Sequence, residues 1–455
     1  MRILLCLVLL AHALPATAAQ RRARPTAHGP TAADVYAVVE EVDRVATLAA
    51  LWPGFDPRRV PLAIFNGDAT LLFRHPNPPP EFVSLSSRQG VYAFAGRHES
   101  VTANAPAKLG GVWTATAMLT PGVGRAPREQ AALVIHEAFH VFQRERHPDW
   151  GANELELFVY PFEDANALRL RRLETFALAR AEAERAKGVA ACWASAALKL
   201  RAERFARMPA GSAAYERGTE LNEGLASYVE ALAAARAKRS GLPPDDFAAG
   251  EVRQRAYATG RALALLLDRF APGWKEGLEG GDKRPLDEAL RAALPARAGA
   301  RCEIAPPRLR DAAERARQDV SALTAKRETL RRDFLARPGW KLELVAREGS
   351  PLFPQGFDPL NVERVGEREV LHTRYLKLGS GAGVIELINR HSLTEGAGEH
   401  PLFNGVRRLT VTGLAAEPTV VESGGKTIIT AESLKAEFSN AEVTRSGQTL
   451  LDRLK

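Results

Sequence analysis

The stretch "LVIHEAFHVFQ", residues 133–143, constrains the fold of this chain more than any other because it must form a buried helix. Its apolar side chains lie on nearly every face of a helix, a pattern typical of helices in a protein interior. The same stretch carries His136, Glu137 and His140, and a buried glutamate costs several kcal/mol unless its charge is paired or neutralised. Pro127, a short way upstream, suits the first turn of such a helix. The fold must therefore bury this helix and give its polar side chains partners.

The two histidines have the spacing of a metal site. Residues four apart share one face of a helix, with Cβ atoms ~5–6 Å apart, so His136 and His140 can bind one zinc ion through ring nitrogens. Glu137 lies one step round the helix, too poorly placed to be a third ligand but able to reach a metal-bound water. This is the H-E-x-x-H arrangement, in which the glutamate accepts a proton from the water that zinc polarises. The alternative interpretation is two core histidines with a chance glutamate.

A zinc hydrolase needs a third protein ligand and one open position, and residues 216–232, "ERGTELNEGLASYVEAL", can supply the ligand. The part "LNEGLASY" resembles the NEGFA-type segment of gluzincin metallopeptidases, above all the aminopeptidase-N-like family. The resemblance implies that Glu223 is the third zinc ligand. Asn222, next to Glu223, could hydrogen-bond one of the metal ligands and help to orient it. Glu220 is the reserve choice for the third ligand, and Glu174 is a weaker one.

The stretch "RAYATGRALALLLDRF" resembles the Y-x-K-G helix of the same family, in which the tyrosine hydroxyl stabilises the tetrahedral oxyanion. The resemblance implies this role for Tyr257, whose phenol would donate a hydrogen bond where negative charge develops. The alternative is a core tyrosine with a buried hydroxyl. Tyr160, Tyr228 and His147 are rivals for the same role.

The chain also departs from the family. The GAMEN segment is absent, since "GGVWTATAML" stands there, and Thr259 replaces the lysine of Y-x-K-G. The interval from His140 to Glu223 is longer than is usual, which predicts an inserted helical hairpin. Aminopeptidase activity is therefore not supported. The strand "GVWTATAML" is expected to be a sheet edge that pairs with substrate backbone, as in zincin-type peptidases, although an interior strand fits its pattern nearly as well.

The N-terminus, residues 1–19, has the order of a secretory signal: an early positive charge, a short apolar run and then small residues. An uncleaved membrane anchor is the alternative, but a span needs ~20 apolar residues. Cys6 would be removed with the signal. Cys192 and Cys302 would remain, either as a disulfide or as two buried thiols. We expect an exported protein, periplasmic or secreted, with no transmembrane segment in its mature form.

The composition is ordinary for a soluble globular protein, with 45% apolar and 25% charged residues in a chain of 455. The net charge of +8 comes mostly from arginines scattered through helical stretches such as "RLRRLETFALARAEAERAK". Dense basic runs interleaved with aromatic residues are missing from the sequence. We therefore expect an arginine-rich exterior and no nucleic-acid partner.

The periodicity of the sequence predicts an α+β protein. After the signal at 1–19, residues 20–126 predict an N-terminal helix and a small mixed β-sheet, which would form one lobe of a zincin-like catalytic domain. Residues 127–300 predict the mainly helical, zinc-binding lobe. Residues 301–338 predict one long amphipathic strut helix, and residues 339–455 alternate with period two, which predicts a sandwich-like C-terminal β domain. Individual helices are expected at about 164–187, 190–207, 212–239 and 247–270.

These features together favour an exported zinc metallopeptidase of gluzincin type with a peptide or protein substrate and one Zn²⁺ ion. His136, His140 and Glu223 would hold the zinc, Glu137 would be the general base, and Tyr257 would help to hold the oxyanion. One alternative is a zinc hydrolase that acts on a non-peptide substrate. Another is a non-catalytic envelope binding protein with a structural metal site, which would not need Glu137. The sequence leaves the substrate and the oligomeric state open.

Overall fold

The computed structural model describes residues 32–48, 50–119, 126–235, 241–295, 302–358 and 361–454. The expected signal, residues 1–19 with Cys6, lies outside these ranges. The described chain is a mixed α+β structure of α-helices and three β-sheets, with a C-terminal region that is rich in strands. Within these ranges, no helix combines the length and the apolar character that crossing a membrane requires.

The N-terminal part is one helix, α1, followed by a six-stranded mixed sheet of order β3-β4-β2-β1-β6-β5. The elements are α1 Ala32–Leu48, β1 Leu62–Phe65, β2 Ala69–Phe73, β3 Val83–Ser84, β4 Val91–Ala95, β5 Ala105–Leu109 and β6 Val112–Met118. β1 and β6 are parallel, and the other neighbours are antiparallel. The expectation that "GVWTATAML" is a sheet edge is wrong, because this strand, β6, lies between β1 and β5. Gly110 and Gly111 both have positive φ and close a tight hairpin that places β5 outside it.

Helices make up most of the chain from Pro127 to Ala293. They are α2 Pro127–Arg146, α3 Ala165–Ala183, α4 Lys187–Phe205, α5 Ala210–Thr219, α6 Leu225–Ala233, α7 Val252–Phe270, α8 Trp274–Glu279 and α9 Leu286–Ala293. A π-helical turn, Glu220–Gly224, joins α5 to α6 and interrupts the helix expected over 212–239. α7 begins later than expected because the carbonyls of Phe247, Ala248 and Ala249 accept hydrogen bonds from Arg171 instead of continuing a helix.

α2 lies in the centre of this part, against α1, β6 and α6. Its apolar side chains belong to one large hydrophobic core that also includes residues of α1, the sheet, α3, α4, α6 and α7. His136, Glu137 and His140 are only 6%, 5% and 7% exposed. The prediction that this helix is buried is confirmed.

The strut helix expected near 301–338 is α10, Pro306–Leu335. α10 packs against α3, and its C-terminal end packs through Leu330 and Phe334 against apolar residues of the C-terminal region. Arg327, which interrupts the apolar stripe, is nearly buried and forms an ion pair with Glu163. α10 therefore connects the helical part to the strands that follow it.

A disulfide joins Cys192 of α4 to Cys302, just before α10, with the two Cα atoms 5.9 Å apart. The bond closes a loop of chain that contains most of the helical part. Cross-linking positions this far apart stabilises the folded state by about 5 kcal/mol in the chain-entropy model. The start of α10 is thereby tied to the helical core.

Residues from Trp340 onward form two antiparallel-rich sheets around a shared hydrophobic core. The seven-stranded sheet has the order β18-β19-β7-β14-β13-β10-β9 and the six-stranded sheet the order β15-β16-β17-β12-β11-β8. The strands are β7 Trp340–Val345, β8 Phe353–Phe357, β9 Val362–Arg364, β10 Glu369–His372, β11 Tyr375–Ser380, β12 Gly383–Ile388, β13 Ser392–Gly396, β14 Val406–Leu414, β15 Thr419–Ser423, β16 Lys426–Ala431, β17 Leu434–Ser439, β18 Ala441–Ser446 and β19 Thr449–Leu454. "REVLHTRYLKL" forms two strands in different sheets, β10 and β11, with Thr373 and Arg374 between them.

Two glycines allow α7 to touch the π turn. A Cβ added at Gly224 would lie 2.6 Å from Gly260 Cα, and one added at Gly260 would lie 2.7 Å from Gly224 Cα. Real Cβ atoms do not approach backbone so closely, so the two backbones could not pack this way with any larger residue. The contact fixes the π turn against the middle of α7.

Replacing Gly260 with alanine tests this close approach. The added Cβ would also lie 2.8 Å from Glu220 O, so the two backbones must separate. We expect the free energy of unfolding to fall by about 1–3 kcal/mol, measured by chemical denaturation. Gly188→Ala in α4 is the control, because its Cβ meets nothing within 4 Å. Equal stability of the two variants would contradict the importance of the glycine contact.

Candidate metal centre

Three buried side chains converge where α2 faces the π turn. The Nε2 atoms of His136 and His140 are 3.1 Å apart, and Glu223 Oε2 lies 3.1 Å from His140 Nε2 and 3.7 Å from His136 Nε2. Each residue thus offers one ligand atom toward a common point, and the trio could hold a metal ion. The sequence-predicted ligands therefore lie together, although His140 and Glu223 are far apart in the chain.

The size of this triangle fits a small tetrahedral cation. Ligand atoms bonded at ~2.05 Å in a tetrahedron lie ~3.3 Å from one another, and the three observed separations fall on both sides of that value. A calcium site would need more oxygen ligands at longer distances. Two imidazoles and one carboxylate are also a common protein set for catalytic zinc, which leaves a fourth position open.

The second nitrogen of each histidine ring has a partner that orients the first. His136 Nδ1 lies 3.0 Å from Glu230 Oε2, and His140 Nδ1 lies 2.7 Å from Gln143 Oε1. Partners of this kind fix the tautomer and the ring orientation of metal-binding histidines. Gln143 is itself held, because its amide donates to the Asn222 carbonyl oxygen at 2.9 Å. Both Nε2 atoms therefore point to the place where they converge with Glu223 Oε2.

The trio holds positive and negative charge in close contact. Burial alone would lower the pKa of His136, but hydrogen bonds to Glu223 and Glu230 outweigh it and raise that pKa to about 10. Burial would raise the pKa of Glu223, but hydrogen bonds from His136, His140 and Tyr257 hold it well below its usual range. A cation placed at the same point would replace the protons on the ring nitrogens and use the same lone pairs.

Glu223 is fixed from its other side by Arg253. Arg253 Nη2 donates to Glu223 Oε1 at 2.7 Å, and Arg253 Nη1 forms an ion pair with Glu154. Oε1 is thereby occupied, so Oε2 is the oxygen left to face the histidines. The π turn contributes as well, because its wider winding changes the direction in which Glu223 leaves the helix; π turns of this kind are frequent at functional sites.

The reserve ligands have other partners. Both carboxylate oxygens of Glu220 accept hydrogen bonds from Arg201, at 2.6 and 2.8 Å, and Thr259 Oγ1 donates to Glu220 Oε1 at 2.6 Å. Glu174 also accepts from Arg201, at 2.9 Å. The structure therefore brings Glu223 to the histidines and directs Glu220 and Glu174 into a buried ion-pair network behind them.

A cleft of about 440 Å³ opens onto the trio, and Glu137 and Tyr257 both line it. Burial raises the pKa of Glu137, against the opposing effect of the two histidines. The Tyr257 ring stacks on His136, with centroids 6.2 Å apart and planes 12° apart, and its hydroxyl hydrogen-bonds Glu223. Burial and the Glu223 charge raise the Tyr257 pKa, which keeps the phenol a neutral donor.

The rivals of Tyr257 differ in position. Tyr160 donates to Glu216 at 2.5 Å and Tyr228 donates to Asp268 at 2.7 Å, and neither lines the cleft. His147 does line it, but it lies about two helical turns beyond His140 along the chain. Asn222 also lines the cleft, but its contact with the centre is the bond of its backbone carbonyl to Gln143.

Sequence reasoning missed Gln143, Glu230 and Arg253. Gln143 follows His140 by three residues, so helical spacing alone could have paired them. Glu230 follows Glu223 by seven residues on the same stripe, but its contact with His136 depends on how α6 packs against α2. No sequence pattern indicated Arg253, because only the packing of α7 on the π turn brings it to Glu223.

Replacing Glu223 with glutamine tests the third-ligand role. The amide carries no charge and binds divalent ions far more weakly, so we expect zinc affinity to fall at least about 100-fold. Calorimetric titration of the metal-free protein with Zn²⁺ measures it. Glu220→Gln is the matched control in the same turn: it should keep zinc affinity but unfold more easily, because Arg201 loses buried charge pairing. Similar zinc affinities for the two variants would exclude Glu223 as a ligand.

In comparisons with known proteins, no family model, no curated protein and no solved structure matches this chain. The family resemblance of the short sequence segments stays a prediction. What the centre can do chemically follows from its own geometry.

Proposed function

We propose that this chain is an exported, zinc-dependent peptide hydrolase of gluzincin type with a zincin-like catalytic domain. The observation that carries the proposal is the buried triangle of His136 Nε2, His140 Nε2 and Glu223 Oε2 at the floor of an open cleft. Glu137, adjacent to the first histidine, lines the same cleft. A structural zinc site is closed by protein ligands, whereas a catalytic site keeps one position open to substrate.

In the proposed reaction, each residue of the site has a separate role. His136, His140 and Glu223 hold the metal, which would polarise a water molecule and the scissile carbonyl when bound. Glu137 accepts the proton that the attacking water loses and passes it to the leaving amine. The side chains that hold Glu223 and the two rings limit their motion, so little reorganisation is needed during the reaction.

Tyr257 supplies a hydrogen bond to the developing negative charge. Its raised pKa keeps the hydroxyl protonated, and the hydroxyl lies next to Glu223 at the rim of the triangle. To reach a substrate oxygen, the hydroxyl must give up its bond with Glu223, and Arg253 still holds that carboxylate. A donor of this type contributes on the order of 3 kcal/mol to transition-state stabilisation.

Export is supported by the disulfide between Cys192 and Cys302, because such bonds persist in oxidising compartments. The sequence of residues 1–19 points the same way. We infer a periplasmic or secreted location from these two observations.

A second candidate is a zinc hydrolase with a non-peptide substrate. The edge strand β5 reaches the cleft through Ala105 and Pro106. Proline has no N–H, so this strand offers a peptide one donor fewer than an ordinary edge strand does. Main-chain hydrogen bonding with a peptide would be correspondingly weaker. A substrate without an extended backbone would not use this donor, so its binding would be unaffected.

Replacing Glu137 with glutamine separates metal binding from turnover. We expect Glu137→Gln to keep its zinc, because Glu137 is not a ligand, and to lose at least about 100-fold in kcat, because no group accepts the proton from water. Zinc content by elemental analysis and cleavage of a peptide library measure the two effects. A library that wild type leaves intact would reject the peptidase function, and purified protein without zinc would reject the metal assignment.

Tyr257→Phe tests the oxyanion role. We expect a drop in kcat of roughly 100-fold with little change in KM, because the hydroxyl acts on the transition state more than on bound substrate. Tyr228→Phe is the control, since Tyr228 contacts Asp268 away from the cleft. A change confined to KM would show that Tyr257 binds the substrate and does not stabilise the oxyanion.

A further inference from the structure

The cleft follows one face of α2 beyond the metal-binding trio. The residues of α2 that line it are His136, Glu137, His140, Gln143 and Arg144, with His147 just after the helix. They recur about once per turn, so the floor of the cleft continues toward the C-terminal end of α2. A substrate bound at the trio can therefore extend along α2.

The charged residues along this path are of two kinds. Of the carboxylates that line the cleft, Glu154 and Glu223 pair with Arg253, and Glu137 interacts with the charges of the two histidines of the trio. Arg144 is different, because no carboxylate of the described residues lies within ion-pair distance of it. Arg144 therefore places a positive charge without a carboxylate partner in the cleft, near the C-terminal end of α2.

Arg144 is held in place by an aromatic ring rather than by an acid. Its guanidinium lies 5.0 Å from the centroid of Trp113 on β6, and Lys108 Nζ lies 5.1 Å from the same ring. Lys108 also lacks an ion-pair partner among the described residues. Trp113 therefore carries two cations that lack carboxylate partners, and their combined positive charge favours an anion near Arg144.

The position of Arg144 defines where such an anion must be. Arg144 follows His140 by one helical turn, a rise of ~6 Å. An extended peptide covers ~3.3 Å per residue. The Arg144 side chain therefore faces a group about two residues from the carbonyl at the trio.

We propose that the cleft selects substrates with a carboxylate about two residues from the scissile bond, and that Arg144, backed by Lys108 and Trp113, is the residue that recognises it. This specificity rests on the proposed peptide hydrolase function. The carboxylate can be an acidic side chain or the C-terminal carboxylate of a peptide, since the two present the same pair of oxygens to a guanidinium.

Binding can be measured without turnover on zinc-loaded Glu137→Gln protein. The probes are short N-acetylated peptides of alanine and leucine: an amidated peptide with one glutamate at successive positions, its glutamine analogue, and the glutamine analogue with a free C-terminal carboxylate. We expect one glutamate position, or the free carboxylate, to bind at least about fivefold tighter than the neutral peptide. The first result identifies a side-chain carboxylate as the ligand, and the second identifies the peptide terminus.

Variants at the far end of the cleft decide whether Arg144 is responsible. Adding Arg144→Gln should remove the preference, and Arg144→Glu should reverse it toward a lysine-containing peptide, which a merely structural role would not do. Arg146→Gln is the control, because Arg146 is exposed on the same helix but faces Glu279 outside this cleft. Equal binding of acidic and neutral peptides, no peptide binding at all, or a preference that survives Arg144→Gln would overturn the proposal.

Cleavage by the wild type separates this inference from the proposed function. Cleavage of peptides regardless of their acidic residues would overturn the carboxylate specificity and leave the hydrolase intact. Arg144-dependent binding of acidic peptides that are never cleaved would support the anion site and overturn the hydrolase.

Discussion

The shared contact of Glu223 Oε2 with two histidine rings is the interaction on which the rest of this structure depends. It joins α2 to a helix segment far along the chain, and it requires a carboxylate to be buried beside imidazoles. Such a contact is stable when the remaining polar atoms of each side chain also have hydrogen-bond partners. Glu230 and Gln143 hold the rings, and Arg253 holds the second oxygen of Glu223. The centre is thus one hydrogen-bonded unit, which is the condition for a metal site with little reorganisation.

The π turn that carries Glu223 is supported by an unusually buried set of charges. Arg201, Arg204 and Arg255 are each about 1% exposed or less and bond the carboxylates of Glu174, Glu216 and Glu220. Burial raises the pKa of Glu174, but these arginines together hold it below its usual range. Removing one member of such a network costs about 3–5 kcal/mol, because its partner stays buried without full pairing. The network connects α3, α4, α5 and α7 and thereby fixes the position of the π turn. Charge pairing requires one specific arrangement of these helices, which a purely apolar contact would not impose.

The C-terminal strands reach the centre through one short segment. Phe158, in the 3-10 turn after Asn153, packs into the core of the two C-terminal sheets, and the carbonyl of Leu155 bonds His400. The same turn begins with Glu154, which lines the cleft and pairs with Arg253. The C-terminal region therefore anchors one rim of the cleft. This arrangement gives a physical reason for a β region attached to the helical part that carries the candidate metal centre.

The sequence by itself determined the buried helix, the two histidines on one face and the long helix α10, because helical periodicity depends on neighbours in the chain. It also indicated strands after Trp340 and a glutamate near position 223. Tertiary structure alone decided that Glu223 and not Glu220 meets the histidines, since two glutamates one turn apart look alike until the π turn and Arg201 separate them. It likewise decided that β5 and not β6 forms the sheet edge, and that Arg253 holds Glu223. These outcomes depend on contacts between segments many residues apart, where packing and buried charge pairing, rather than local pattern, set the lowest free energy.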